Sequence, residues 1–298
     1  MDHAEDFGCR HAGSRFFEVN GLRLHGLEWG NPAHPPLLLL HGGSAHCHWW
    51  DEVAPAFADR YHVISLDQRG HGASQWSDPP AYGTQDFVSD LLGLMERLGW
   101  ERMTLVGHSM GGHNAMTFAG WHPERLSGVV IVDSRPAIPP ERLERMRHRG
   151  RRILRPYENP DQAVERFRLL PPETSAPAPL LRHLARAGIV EREGKWFYRF
   201  DPSSNGSRAP VDAWPLLPKI SCPTLIVRGE FSPIMTREMA RAIQEKIPGA
   251  QLAEVPEAYH HLMLDHPAAC VALLERFLQE IDPSPSREGE DKGEGGAG

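Results

Sequence analysis

Long apolar runs, paired cysteines and an excess of basic charge are all missing from this 298-residue chain. No apolar stretch approaches the roughly 20 residues needed to span a bilayer. The start, MDHAEDFGCRH, is acidic and polar where a secretory signal needs a basic residue and an apolar stretch. Only four cysteines occur, Cys9, Cys47, Cys222 and Cys270, far apart and without a C-x-x-C pair, which excludes a disulfide scaffold and leaves free thiols. A net charge of −7 and a pI near 6.2 argue against a nucleic-acid partner, whose phosphates would select a basic surface. Metal-ligand spacings and phosphate-binding glycine loops are also lacking: GHGAS and GHSMGG do not stand in a nucleotide-binding βαβ context. The expectation is a cytoplasmic protein with no membrane segment, no metal and no cofactor, whose chemistry uses side chains and water.

What is present is an alternation of short apolar runs and amphipathic segments. FFEVNGLRLHGLEWG carries two β-type runs around Asn20-Gly21, a strong hairpin signal because both residues tolerate positive φ. The runs PLLLL, YHVISL, MTLV, LSGVVIV, TLIV and AQLAEV follow, near-continuous as in strands buried on both faces. Between them, TQDFVSDLLGLMERLG places Phe87, Leu91, Leu94, Met95 and Leu98 at helical spacing behind Thr84 as N-cap. Such alternation specifies an α/β fold: a mostly parallel eight-stranded sheet with helices on both faces. It breaks from Ser134 to about Pro215, where no strand pattern is visible. The expected organisation is an extension over 1–14, a core over 15–133 and 216–282, a helical cap over 134–215 inserted after the sixth strand, and a Gly/Ser/Pro-rich disordered tail over 283–298.

The stretch MTLVGHSMGGHNAM sets Gly107-His108-Ser109-Met110-Gly111 between a strand and a helix, the context in which G-x-S-x-G forms a nucleophile elbow. A serine on so sharp a turn brings neighbouring backbone very close, so the positions two before and two after it must lack a Cβ. A serine nucleophile also needs a base within hydrogen-bond reach and donors for the oxyanion it creates.

With LLLLHGG after the third strand, DQRGHGAS after the fourth, GHSMGG after the fifth and HHLMLDHP near the end, the chain resembles the α/β-hydrolase fold family from Phe16 to Ile281. The resemblance implies a base in the loop after the last strand. His260 and His261 are available there, and the family's usual proline seven residues on, here Pro267, selects His260. It also implies oxyanion donors at the backbone N–H groups of Gly43 and Met110. The acid of the triad would usually stand after the seventh strand in a G-E-x-D-P stretch, but RGEFSP offers Ser232 there, which cannot carry negative charge. Two carboxylates are alternatives: Asp133 at the end of the sixth strand, an arrangement some family members use, and Glu230, two residues before the vacant position. Asp133 is the expected acid and Glu230 the alternative.

The resemblance implies a cofactor-independent serine hydrolase of a small-molecule carboxylic ester or lactone. Carbon–carbon bond hydrolysis or perhydrolysis on the same triad is an alternative, and a non-catalytic small-molecule binder is another. Dehalogenation and epoxide opening are disfavoured because the elbow carries Ser and not Asp. Trp50 and His108 are candidate substrate-binding residues, although His108, like His41 and His71, also reads as a structural hydrogen-bonding residue. Trp49, Trp196, Phe197, Tyr198 and Phe200 could line an acyl pocket or pack the cap. The run ERLERMRHRGRRILR, with seven arginines, reads first as a solvated helix face and second as a lure for a carboxylate.

Overall fold

The opening hairpin forms as its pattern predicts: β1 (Gly13–Val19) and β2 (Leu22–Trp29) pair antiparallel across Asn20 (φ 52°) and Gly21 (φ 75°). The structure, a computed structural model, describes residues 12–151 and 154–282. The expected 283–298 tail and most of the 1–14 extension, including Cys9, lie outside the described residues, and Gly13 and Ser14 belong to β1.

The chain continues through β3 (Pro36–Leu40), β4 (His62–Asp67), α1 (Thr84–Leu98), β5 (Met103–His108), α2 (Met110–Trp121) and β6 (Leu126–Val132). After an insertion it resumes with β9 (Thr224–Gly229), α7 (Arg237–Lys246), β10 (Gln251–Val255), α8 (Leu262–Asp265) and α9 (Pro267–Ile281). The sheet order is β1-β2-β4-β3-β5-β6-β9-β10, antiparallel at β1/β2 and β2/β4 and parallel elsewhere.

Both faces of this sheet are covered, which is why its strands read as unbroken apolar runs. Along β3, Leu38 and Leu40 join one cluster with Leu91 of α1, Met116 of α2 and Ile243 of α7, while Leu37 and Leu39 join the opposite cluster with Leu274 and Phe277 of α9. Each such side chain, withdrawn completely from water, contributes about 1.5–3 kcal/mol. At the start of α1 it is Gly83, not Thr84, that occupies the N-cap position. The Asp86 carboxylate accepts the Gly83 N–H at 2.8 Å, and the Thr84 hydroxyl instead accepts the Val211 N–H.

The insertion holds α3 (Pro140–Gly150), α4 (Pro160–Arg166), α5 (Ala178–Ala187), a hairpin of β7 (Ile189–Arg192) and β8 (Lys195–Tyr198), and α6 (Ser203–Gly206). The hairpin departs from the all-helical expectation. Its two-residue turn, Glu193-Gly194, takes positive φ at both positions (52° and 74°), the geometry that matches strand twist. Polar contacts tie the insertion to the core: Tyr82 donates to Asp201 at 2.5 Å, His46 Nε2 donates to the Leu184 carbonyl at 3.0 Å, and Thr174 donates to Asp265 at 2.5 Å. Among the described residues no helix is long and apolar enough to cross a membrane.

Candidate active site

Ser109 stands between β5 and α2 with φ 52° and ψ −109°, a backbone conformation that costs an L-residue of order 1–3 kcal/mol and persists only where its surroundings over-determine it. Three hydrogen bonds hold it: the Ser109 N–H donates to Val132 O at 3.0 Å, the Gly111 N–H donates to His41 O at 3.2 Å, and the Ser134 hydroxyl donates to Ser109 O at 2.6 Å. A Cβ at Gly107 would fall 2.2 Å from the Gly111 carbonyl oxygen, and one at Gly111 would fall 2.6 Å from Leu40 Cβ. Both flanking positions therefore demand glycine on steric grounds.

His260, Ser109 and Asp133 meet. His260 Nε2 lies 3.0 Å from Ser109 Oγ, and its Nδ1 lies 2.8 Å from Asp133 Oδ1. Asp133, at the end of β6 with φ 44°, is completely buried. It also accepts the Gly229 N–H on Oδ2 at 2.9 Å and the Ser232 hydroxyl on Oδ1 at 2.5 Å. Ser232, which sits where an acid was expected, is thus a hydrogen-bond donor to the acid that stands on the neighbouring strand. Ser232 Oγ is itself held by the Ile234 N–H at 3.1 Å. With a carboxylate facing Nδ1, that nitrogen carries the proton and Nε2 is left to accept from Ser109.

Electrostatics reinforce this tautomer. Burial pushes the His260 imidazole well below its ordinary value, and the neighbouring His261, Arg142 and Arg135 push it further. Burial raises the Asp133 carboxyl, while Ser232, the Gly229 amide and Arg228 pull it back. Burial thus keeps the imidazole neutral and lifts Asp133 to about 7, and the Ser232 and Gly229 hydrogen bonds are what oppose its protonation.

Glu230 is not part of this constellation: its Oε2 accepts the Glu257 N–H at 3.0 Å, outside the cluster around His260. His108 does not face the cavity either. Its Nε2 donates to the His260 carbonyl at 2.9 Å and its ring lies 4.6 Å from that of His260, so it fixes the loop that carries the imidazole. Trp50 is 1% exposed and packs with Leu37, Phe57 and Val63 beneath the sheet, because the 3₁₀ turn that bears it turns inward. Gly43 and Met110 do border the cavity beside Ser109, and a Cβ on Gly43 would touch Met110 Cβ at 3.9 Å. His41 holds the Gly43 loop to β4: its Nε2 accepts the Gln68 N–H at 3.1 Å and its Nδ1 donates to Gly42 O at 2.7 Å.

The cavity above Ser109 measures about 670 Å³, and the insertion supplies much of its wall. Of the aromatic residues considered for it, Phe200 lines it, whereas Tyr198 stacks edge-on with Tyr157 inside the insertion and donates to Ala163 O at 2.7 Å. The arginine run departs from expectation: Arg142, Arg145 and Arg149, at helical spacing on α3, line the cavity, joined by Arg135, Arg155 and Arg208. Arg135 and Arg208 were not singled out in the sequence, since isolated arginines in an insertion carry no local signal.

The sheet, the elbow and the meeting of Ser109, His260 and Asp133 define the class, and comparison with known proteins agrees. A sequence profile of the α/β hydrolase fold matches residues 35–267, and the chain belongs to that family. It is 28% identical over 283 residues to a 2-(acetamidomethylene)succinate hydrolase of Mesorhizobium japonicum, covering 93% of this chain and 99% of that protein. A 3-hydroxybutyrate-oligomer hydrolase of Cupriavidus necator is 27% identical over 270 residues, covering 84% of this chain and 91% of that protein. A solved E-2-(acetamidomethylene)succinate hydrolase superposes with a TM-score of 0.80 at 25% identity, covering 90% of this chain and 100% of that one.

Proposed function

We propose that the protein is a cofactor-independent serine hydrolase that cleaves a carboxylic ester or lactone through an acyl-enzyme. The observation that carries this reading is the pair of contacts at His260, 3.0 Å to Ser109 Oγ and 2.8 Å to Asp133 Oδ1. Ser109 Oγ attacks the carbonyl carbon while His260 Nε2 takes its proton; the imidazolium is balanced by Asp133, and the oxyanion rests on the N–H groups of Gly43 and Met110. Collapse expels the alcohol, which receives the proton from His260. Water, deprotonated by the same nitrogen, attacks the acyl-enzyme to release a carboxylic acid and regenerate Ser109. Residues 134–215 act as a cap over this chemistry.

A second reading, amide cleavage on the same triad, is favoured by the acetamido group in the name of the Mesorhizobium japonicum relative, which matches 93% of this chain. Incubation of the folded protein with a fluorophosphonate probe is expected to label Ser109 stoichiometrically. Absence of labelling, with the protein still folded by circular dichroism, would rule out the hydrolase reading in either form.

The electrostatics set the pH profile. Only neutral His260 accepts the Ser109 proton, and its protonation is suppressed by burial and by His261, Arg142 and Arg135. The acidic limb of kcat/KM is therefore expected below the 6.5 of an ordinary histidine. A limb at or above that value would show that these influences do not act on the working base.

A further inference from the structure

Six guanidinium groups, those of Arg135, Arg142, Arg145, Arg149, Arg155 and Arg208, line the cavity that Ser109 and His260 open into, with Glu173 the acid among its lining residues. Ion pairs elsewhere in the molecule engage Arg15, Arg69, Arg186, Arg228 and Arg237; none of the six cavity arginines forms one among the described residues. Arg208 is 5% exposed, and burial lowers its guanidinium to about 10. Its Nε and the Nε of Arg135 are buried without a hydrogen-bond partner among the described residues; His113, one turn along α2 from Ser109, donates from Nδ1 to Arg135 O at 3.2 Å, so its Nε2 is an acceptor and not a donor. Buried cations and orphaned donors are costly unless something compensates them. Arg135 is partly compensated by the Ile234 carbonyl, which accepts from its Nη2 at 2.6 Å, whereas no ion pair or hydrogen bond among the described residues engages the Arg208 guanidinium.

The arginines divide between two poles. Arg135 and Arg142 stand close enough to His260 to depress it, and Arg142 is itself crowded by Arg135, Arg149 and Arg145. Arg208 acts instead on His113 and His71, on the side of α2 and the loop after β4. The wall between them mixes apolar Ile138, Met146, Leu170 and Ile234 with polar Ser44, Ser134 and Asn205. Six guanidinium groups around one cavity, Arg208 beside His113 and Arg135 with Arg142 beside His260, match a substrate with more than one carboxylate, whereas a single phosphoryl group would be gripped at one focus with backbone amides.

We propose that the substrate is a small molecule bearing at least two carboxylates besides its scissile carbonyl, one anchored by Arg208 next to His113 and another clamped by Arg135 and Arg142 beside the triad. This deepens the reading of the cavity as the acyl-transfer site and rests on it. Arg208 is on this account the specificity-determining residue, because its buried charge has no other partner among the described residues. A bound carboxylate beside Arg142 also offsets the positive potential that weakens His260 as a base, so the correct substrate raises the basicity of the group that attacks on its behalf.

The test combines turnover and binding. The 4-nitrophenyl monoester of a tricarboxylic acid such as tricarballylate, compared with 4-nitrophenyl butyrate, is expected to show a kcat/KM higher by at least about 100-fold, the scale of two charge-assisted contacts. Arg208→Gln should reduce that ratio by about 10- to 100-fold, with Arg208→Lys recovering part of it. If Arg208→Gln does not fold, Arg142→Gln, on the less buried α3, should reduce the ratio similarly and move the acidic limb of kcat/KM upward. A neutral ester turned over as well as the anionic one by wild type would overturn the proposal while leaving the hydrolase reading intact. Calorimetry on Ser109→Ala is expected to show tricarballylate binding and no binding of its trimethyl ester. That result together with a failure of fluorophosphonate labelling would keep the anion site and discard the hydrolase. Inorganic phosphate binding more tightly than tricarballylate would overturn the assignment to carboxylates.

Discussion

Ser109→Ala is expected to lower kcat by about 10⁵–10⁶ while leaving the fold in place. On the proposed mechanism the loss is large because one atom, Oγ, supplies the nucleophile, and His260 Nε2 at 3.0 Å then has no proton to accept and no bond to help form. What survives is the contribution of the Gly43 and Met110 amides and of substrate binding, which in such sites is worth about 10³–10⁴ over water. Stability should change little. Alanine inherits the same φ of 52°, and the contacts that hold the elbow are made by the backbone of residue 109, whose N–H meets Val132 O and whose carbonyl receives Ser134. Burst-free kinetics on an activated ester, alongside a thermal melt within a few degrees of wild type, are the expected results. A variant retaining a tenth of wild-type turnover would show that another group attacks the carbonyl.

That prediction concerns residues visible in the sequence for a physical reason. The strand runs are legible because both faces of the sheet are covered, and the elbow is legible because sterics force glycine at 107 and 111 around a polar residue. The β7–β8 hairpin was hidden: IVER and KWFY are short, mixed in polarity and joined by Glu193-Gly194, where only the backbone shows that both residues accept positive φ. The arginine face of α3 was misjudged because a helix lining a polar cavity and one lining solvent present the same pattern. None of its residues is buried, so no apolar stripe says which way it faces. Trp50 looked like a pocket residue by its proximity to the HGG loop, but the 3₁₀ turn over Cys47–Trp50 directs it into the core.

The carboxylate that meets His260 was legible only as a choice between Asp133 and Glu230. Its geometry now gives the second large prediction: Asp133→Asn should lower kcat by about 10⁴, and Glu230→Gln should leave it within a few-fold of wild type. An asparagine amide offers N–H₂ to His260 Nδ1 and so drives the proton to Nε2, where Ser109 needs an acceptor. Glu230 is engaged with the Glu257 N–H and has no such influence. Near-normal turnover in Asp133→Asn with collapse in Glu230→Gln would reverse the assignment. The stronger demonstration restores the acid at the position where the sequence lacks it. Ser232 Oγ lies 2.5 Å from the carboxylate oxygen that contacts His260, and the Ile234 N–H already points at it. A carboxylate introduced by Ser232→Asp in the Asp133→Asn background therefore has a donor to hold it and an imidazole within reach. It should recover about 10- to 100-fold of the lost rate, the range of one charge-assisted hydrogen bond. Ser232→Asp alone should do harm, since two carboxylates at that distance cannot both remain ionised, and the one that takes a proton no longer steadies the imidazolium. Rescue in the double variant combined with damage in the single one would be the signature of one acid site that two neighbouring strands can each fill.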